Sequence, residues 1–91
     1  MAEARTHLIW SNKRACWHRR SSDGGACGYT LDIADAGIFE TSTAMAYDDG
    51  PDGDDHAITI AEAAEGLRRR LAALDAQRAS LAETINQLEA A

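Results

Sequence analysis

The chain has 91 residues, a length that is enough for one small domain at most. Its formal net charge is −6 at pH 7. Its two cysteines favour a reducing compartment over a disulfide-stapled secreted fold. The sequence shows no secretory leader and no run of about 18 apolar residues, so we expect a cytoplasmic protein without membrane association.

The charges are segregated along the chain. Residues 1–22 hold five basic residues and one acid, whereas residues 23–56 hold nine acids and no Lys or Arg. Because affinity for phosphate comes from accumulated positive charge, the acidic middle argues against broad nucleic-acid binding. It favours a solvated surface or a surface that attracts a basic protein partner.

The first predicted element is a β-hairpin. Residues 7–10 and 15–18 are short runs with apolar and aromatic residues that are typical of strands. Residues 11–14 supply the turn, in which Asn12 tolerates a left-handed backbone. Residues 21–26 have the composition of a loop.

The next predicted element is a short helical turn over residues 30–37. Thr30 is its expected N-cap, Asp32 favours the positive end of the helix dipole, and Gly37 is the expected left-handed stop. Residues 38–47 have no clean period, so both strand and helix are open there.

An acidic loop follows at residues 48–55. Its order of residues is not that of an EF-hand loop, so we expect a flexible segment rather than a calcium site. The carboxylates available to a basic partner are those of Asp48, Asp49, Asp52, Asp54 and Asp55.

The last third of the chain predicts one long helix. Residues 56–59 are a short strand or the lead-in to a helix cap, and Thr59 with Glu62 fits a capping box. Strong helix formers dominate from there onward. We therefore expect an α+β fold, with a small head over residues 1–58 that contains the hairpin and the helical turn, and a coiled-coil helix over residues 59–91.

A leucine-zipper repeat runs along this helix. Large apolar residues recur every seven residues at one heptad position, d, and a second series occupies position a. Together they form a narrow stripe, which is typical of a contact between two helices and which we call the seam. The seam consists of Ile60, Leu67, Leu74, Leu81 and Leu88 at d, and of Ala64, Leu71, Arg78 and Ile85 at a.

The helix is about 45–50 Å long, more than a head of about sixty residues can cover. Pairing with a second copy is the simplest way to bury the seam; a helix folded back on its own head and a groove on another protein are the alternatives. Arg78 in the seam costs stability and tends to select the register. The charges beside the seam do not decide the orientation of the two helices. Arg70 and Asp75 suit a parallel pair, whereas Arg68 and Glu89 suit an antiparallel one.

Metal ligands and catalytic groups form no recognisable motif. Cys16 and His18 lie two residues apart, so they face the same side of a strand, and Cys27 is the third candidate zinc ligand. The spacing is not that of a zinc knuckle, so we expect no cofactor and keep zinc as an alternative. The sequence shows no phosphate-binding loop, catalytic carboxylate pair or oriented nucleophile. We therefore expect that the protein is not an enzyme.

Aromatic residues are concentrated in the head near several arginines. Such a set forms a small core, or it stacks on a base or nucleotide. The residues of a ligand site of this kind are Trp10, Asn12, Trp17 and Tyr29.

Short stretches of the head form a pattern of Leu-Ile-Trp-Ser-Asn, Trp, Gly-Tyr-Thr and Ala-Gly before an aromatic residue. In this pattern residues 7–40 resemble small proteins of phages, prophages and proteobacterial genomes, a family without an assigned activity. The resemblance implies a bacterial host cell. Where those proteins have a small residue and a tryptophan, this chain has Cys16 and His18, which argues further against zinc. The matching residues are Leu8 to Asn12, Trp17, Gly28 to Thr30, Ala36, Gly37 and Phe39.

These observations favour a non-enzymatic protein-binding module that self-associates through its C-terminal helix. The resemblance suggests a phage-type accessory protein or an inhibitor of a host defence complex, with acidic mimicry of nucleic acid as one mode of action. The alternatives are a small-ligand or nucleotide-binding protein and a zinc-stabilised interaction module.

Overall fold

The fold begins with the predicted hairpin, formed by β1 (Arg5–Ser11) and β2 (Cys16–Arg20). We describe it from a computed structural model that covers residues 3–91. Trp10 lies opposite Trp17 in the antiparallel pair. The prediction of a hairpin is confirmed.

The hairpin turn places its left-handed residue at its end. Ala15 has φ of 51°, whereas the sequence favoured Asn12 for that backbone. The N–H of Arg14 donates to Oγ of the buried Ser11 at 3.2 Å, which fixes the start of the turn. An alanine in this region lacks the conformational freedom of glycine, so the turn holds a local strain.

Three further strands complete an antiparallel sheet. β3 (Ala26–Thr30), which the sequence did not predict, pairs with β2. The two-residue β4 (Phe39–Glu40) and β5 (Asp55–Thr59) both pair with β1. Because His7 pairs with both of them, they lie on opposite edges of β1, which is therefore the central strand.

The predicted helical turn is a single 3₁₀ turn at Ile33–Asp35. Its cap is Asp32, whose Oδ1 accepts from the N–H of Ala34 at 2.9 Å. Thr30 instead accepts from the N–H of Asp32 at 3.1 Å, so the prediction of Thr30 as the cap is wrong by two residues. A carboxylate reaches the exposed N–H group better from the position next to the turn.

Gly37 has a different role from the predicted left-handed stop. Its N–H donates to the carbonyl of His18 at 3.0 Å, and it is absent from the residues with positive φ. A Cβ at this position would lie 2.5 Å from the backbone nitrogen of Arg20. Glycine is required here because the chain passes directly against β2.

The region left open by the sequence contains both kinds of element. After β4, the chain forms α1 (Thr41–Tyr47), which packs on one face of the sheet. Ile9, Phe39 and Ala44 are fully buried there and form the core, with Tyr47 packed against them.

The long helix is α2 (Ile60–Ala90). The N–H of Glu62 donates to Oγ1 of Thr59 at 3.0 Å, and the N–H of Thr59 donates to Oε1 of Glu62 at 3.1 Å. The predicted capping box is therefore confirmed, and both readings of residues 56–59 hold, because β5 ends on the cap. Among residues 3–91, no helix combines the length and apolarity needed to cross a membrane.

The helix extends away from the head. The radius of gyration is 18.1 Å, against about 12 Å for a compact chain of this length. The molecule measures 64 × 29 × 22 Å, and no residue of α2 is buried. Most of α2 therefore lies beyond the reach of the sheet.

Candidate interaction surfaces

The seam of α2 is an exposed apolar stripe. Its large side chains range from 43% exposed at Ile60 to 70% exposed at Leu88. Only Ala63 and Ala64, next to the head, are half-buried. In this structure the helix is not folded back on its head, so the described residues 3–91 leave the seam uncovered.

The charges in and beside the seam differ in whether they are paired within the chain. Glu65 lies 3.4 Å from Arg68 and 3.7 Å from Arg69 on the outer surface of α2. Within residues 3–91, no ion pair involves Asp75 or Arg78. These two charges are therefore available to a neighbouring helix.

Two adjoining cavities, of about 390 and 280 Å³, lie where the base of α2 meets the sheet. Trp17, Ile33, Leu67 and Arg70 line both of them. Trp10 lines the larger one and meets Trp17 edge to face, with ring centroids 5.0 Å apart. Because Leu67 belongs to the seam, the seam leads directly into these two cavities, which together we call the tryptophan cavity.

Asn12 positions Trp10, which lines the tryptophan cavity. Its Oδ1 accepts from Nε1–H of Trp10 at 2.9 Å, and its Nδ2 lies 2.7 Å from Nε2 of His56. The backbone N–H of Asn12 donates to the carbonyl of Asp54 at 2.7 Å. The predicted ligand residues Trp10, Asn12 and Trp17 are thus brought together.

Tyr29, the fourth predicted ligand residue, lies elsewhere. It pairs with His18, whereas Trp17 pairs with Thr30, so Tyr29 and Trp17 face opposite sides of the sheet. The guanidinium carbon of Arg14 lies 4.6 Å from the centre of the Tyr29 ring. The structure does not bring Tyr29 to the tryptophan cavity.

The candidate zinc ligands are divided between interior and surface. Cys16 and His18 are 5% and 6% exposed on the core side of β2, while Cys27 is exposed. Nε2 of His18 lies 2.9 Å from a carboxylate oxygen of Asp55. Within residues 3–91, no group of three or more His, Cys, Asp or Glu side chains is placed to hold a metal ion.

Sequence reasoning missed the pairing of His18 with Asp55. The two residues are 37 positions apart, and they lie on strands that flank β1 from opposite edges. The pair therefore ties β2 to β5 across the central strand. Its burial suits a structural role, because a catalytic group needs access to substrate.

Part of the acidic loop is used inside the head. Oδ1 of Asp48 accepts from the N–H of Gly50 at 2.8 Å, and Oδ2 accepts from the N–H of Ala57 at 2.9 Å. The N–H groups of Ala57 and Gly50 hold the pKa of Asp48 below its ordinary value. This carboxylate anchors the loop to β5.

The remaining loop acids divide in the same way. Oδ2 of Asp49 accepts from the N–H of Asp55 at 3.1 Å, and the Asp55 side chain is paired with His18. Asp52 and Asp54 are exposed. Asp49 is exposed as well, but its carboxylate is engaged by Asp55, so Asp52 and Asp54 face solvent most freely among the five predicted partner-binding carboxylates.

Relatives add nothing to this geometry. No family model, curated protein or solved structure matches this chain. The resemblance over residues 7–40 therefore stays a prediction, and the function has to be argued from the surfaces themselves.

Proposed function

We propose that this chain is a non-enzymatic protein-binding module that self-associates through the seam of α2 and presents its heads to a protein partner. The observation that carries the proposal is the uncovered seam, which extends along a helix whose own head reaches only its base. Coiled-coil pairing is the usual way to bury a stripe of this width and period.

The apolar surface of the seam is large enough for a stable pair. Seven large side chains per copy are 43–70% exposed, and full burial of each is worth about 1.5–3 kcal/mol. Burying the exposed half of these side chains in both copies removes a continuous apolar stripe from water, which favours a dimer.

Substitution within and outside the seam tests self-association. The double variant Leu74→Lys/Leu81→Lys places charges in the seam, so it should be monomeric by size-exclusion chromatography with light scattering. Ala76→Lys/Ala79→Lys adds the same charge at heptad positions f and b, outside the seam, and should keep the mass of the unmodified chain. An identical mass for the two variants would contradict the proposal.

The head supplies the surface for a second partner. Its exposed acids Asp52 and Asp54 support binding to a basic protein site through electrostatic complementarity, and the sequence resemblance supports a phage-type accessory or inhibitor role against a host complex in the bacterial cytoplasm. Mimicry of nucleic acid is part of this proposal, because a nucleic-acid-binding site is basic.

Competition tests this second part. A bacterial partner retained by the immobilised chain should be lost with Asp52→Asn/Asp54→Asn and displaced by duplex DNA. The control Glu65→Gln/Glu83→Gln removes the same charge from the outer face of α2 and should retain the partner. Equal retention by both variants would show that the loop does not bind it.

A small-ligand function is favoured by a separate observation. The tryptophan cavity, at about 390 Å³ in its larger part, is within the size range of ligand sites. Tryptophan emission should then change on titration with an apolar or nucleotide ligand, and Arg70→Ala should weaken the change. No response to such a panel would remove this candidate.

A further inference from the structure

We infer that α2 pairs with a second copy in the antiparallel orientation, and that the end of the partner's α2 seats in the tryptophan cavity. This inference rests on the proposed self-association and adds its geometry. The cavity and the seam share Leu67, so any helix that lies along the seam also borders the cavity. The orientation decides which part of that helix arrives there.

The heptad register permits a full antiparallel overlap. When Leu74 lies opposite the partner's Arg78, every a residue from the base of α2 onward meets a d residue of the other helix. The smallest seam residue then meets a leucine, and the other layers pair large side chains. The layers are Ala64 with the partner's Leu88, Leu67 with the partner's Ile85, Leu71 with the partner's Leu81, and Leu74 with the partner's Arg78.

Charge separates the two orientations. In a parallel pair, each a residue faces its own counterpart, so Arg78 would meet the partner's Arg78 within the seam, where like charges repel. In the antiparallel pair, the two Arg78 residues are offset by four positions, about 6 Å along the axis, and each lies at nearly the same height as the partner's Asp75. No ion pair within residues 3–91 uses either charge, so two symmetric ion pairs form at the centre of the dimer.

The parallel arrangement has one compensation, which is smaller. Arg70 and the partner's Asp75 would pair beside the seam, but an exposed ion pair contributes little. A charge inside the seam affects stability more, because both guanidinium groups must be desolvated or displaced. The balance of charges therefore favours the antiparallel pair.

Antiparallel pairing brings the C-terminal part of the partner's α2 to each cavity. In such a pair, a d side chain packs on the g side of the opposite helix, so the partner's Leu88 lies between Ala63 and Leu67. Ala63 and Leu67 both line the smaller cavity, together with Trp17 and Ile33. The exposed apolar surface that remains at the base of α2 is covered by this contact.

The occupied cavity also accounts for an exposed side chain of the head. Leu31 lines the rim of the larger cavity and is 84% exposed. None of residues 3–91 covers it, whereas a second helix along the seam passes directly beside that rim. The partner's Leu88 then occupies the smaller cavity, so a small ligand could bind only in the larger one.

Cysteine pairing tests the orientation. In a Cys27→Ser background, which leaves only the buried Cys16, Leu71→Cys mixed with Leu81→Cys should form a disulfide-linked dimer under mild oxidation, whereas each alone should not. In the antiparallel pair, each of these residues lies about 15 Å along the axis from its own counterpart. Disulfide-linked dimers of each variant alone would show a parallel pair and overturn the inference while leaving self-association intact.

Tryptophan quenching tests the occupation of the cavity. The chain has only two tryptophans, and both line the cavity. A nitroxide attached to Leu88→Cys should remove most of their emission, because residue 88 lies about 30 Å from the cavity of its own chain but beside that of the partner. The same label at Asn86→Cys, on the outer side of the helix, is the matched control and should cause little loss.

The outcomes separate the two claims. Crosslinking of the Leu71→Cys and Leu81→Cys mixture without quenching from residue 88 would show an empty cavity and overturn its occupation by the helix. No crosslink in any mixture, with a dimeric mass for the unmodified chain, would overturn the antiparallel register. No crosslink together with a single-chain mass of 9.8 kDa would overturn self-association itself. Quenching by the residue 88 label together with the mixed crosslink supports the whole inference.

Discussion

The head and α2 meet the requirement for burial in different ways. In the head, Ile9 and Phe39 are fully buried by β4, α1 and the sheet. In α2, no residue is buried although the helix contains seven large apolar side chains. Helix propensity and capping are enough to form the backbone of α2, but they bury none of its apolar side chains. Only a partner surface can bury the seam.

Truncating a core side chain of the head should have the largest effect on its free energy of unfolding. Phe39→Ala should cost about 3–5 kcal/mol, because it leaves a cavity in a small core, and this is comparable with the whole stability of a domain of this size. Tryptophan emission during urea titration measures the loss. Ile38→Ala, at a 41% exposed neighbour, is the control and should change stability by less than about 1 kcal/mol. An equal response would place the core elsewhere.

Changing the charged seam residue should sharpen the role of α2. Arg78→Leu replaces a charge by an apolar side chain in both copies, so we expect dimer association to strengthen by about tenfold or more. Sedimentation over a dilution series measures the dissociation constant. Arg69→Leu, at heptad position f, is the control with the same change outside the seam. An unchanged constant for Arg78→Leu would show that residue 78 lies outside the contact.

Acid should separate the two regions by a smaller effect. Hydrogen bonds from Ala57 and Gly50 lower the folded pKa of Asp48 below its ordinary 3.8, so this group stabilises the head above that pH and the contribution is lost as pH falls through the folded value. The urea midpoint of the tryptophan signal should therefore hold from neutral pH down to about pH 5 and fall below about pH 4.

The variant Asp48→Asn provides the matched measurement for this effect. It should lower the midpoint at neutral pH and flatten the fall in acid, because the titrating carboxylate is gone. The helix signal should change less, since its one carboxylate of this kind is Glu62 at the cap, where the N–H and hydroxyl of Thr59 lower the pKa. Parallel acid profiles for the variant and the unmodified chain would remove Asp48 as the cause.

The smallest expected effect lies in the hairpin turn. Ala15 has φ of 51°, a region in which glycine has no steric cost, so Ala15→Gly should stabilise the head by about 0.5–1 kcal/mol. Urea unfolding measures the gain, and the dimer mass should be unchanged because the turn is remote from most of the seam. A loss of stability would indicate that the methyl group of Ala15 contributes more by packing at the tryptophan cavity than it costs in the backbone.

The elements that sequence predicted correctly depend on neighbouring residues. The hairpin, the capping box at Thr59 and Glu62, and the long helix each arise from signals between residues that are close in the sequence. Such signals are readable because propensity, capping and periodicity are local properties.

The features that sequence missed depend on distant residues. β3 lacks alternating apolar residues, the cap of the 3₁₀ turn is Asp32 rather than Thr30, and the His18 to Asp55 pair joins strands 37 residues apart. Gly37 is needed for its approach to Arg20, which no local pattern reveals. The tryptophan cavity likewise exists only because α2 starts beside the sheet. The sequence indicated the head residues Trp10 and Trp17, but not the wall that Leu67 and Arg70 add.

The most direct measurement is sedimentation equilibrium of the unmodified chain across a wide concentration range. We predict a mass of twice 9.8 kDa, with dissociation to one copy only on dilution, because the head leaves the seam of α2 uncovered. A single-chain mass at every concentration, with α2 still helical by circular dichroism, would contradict it.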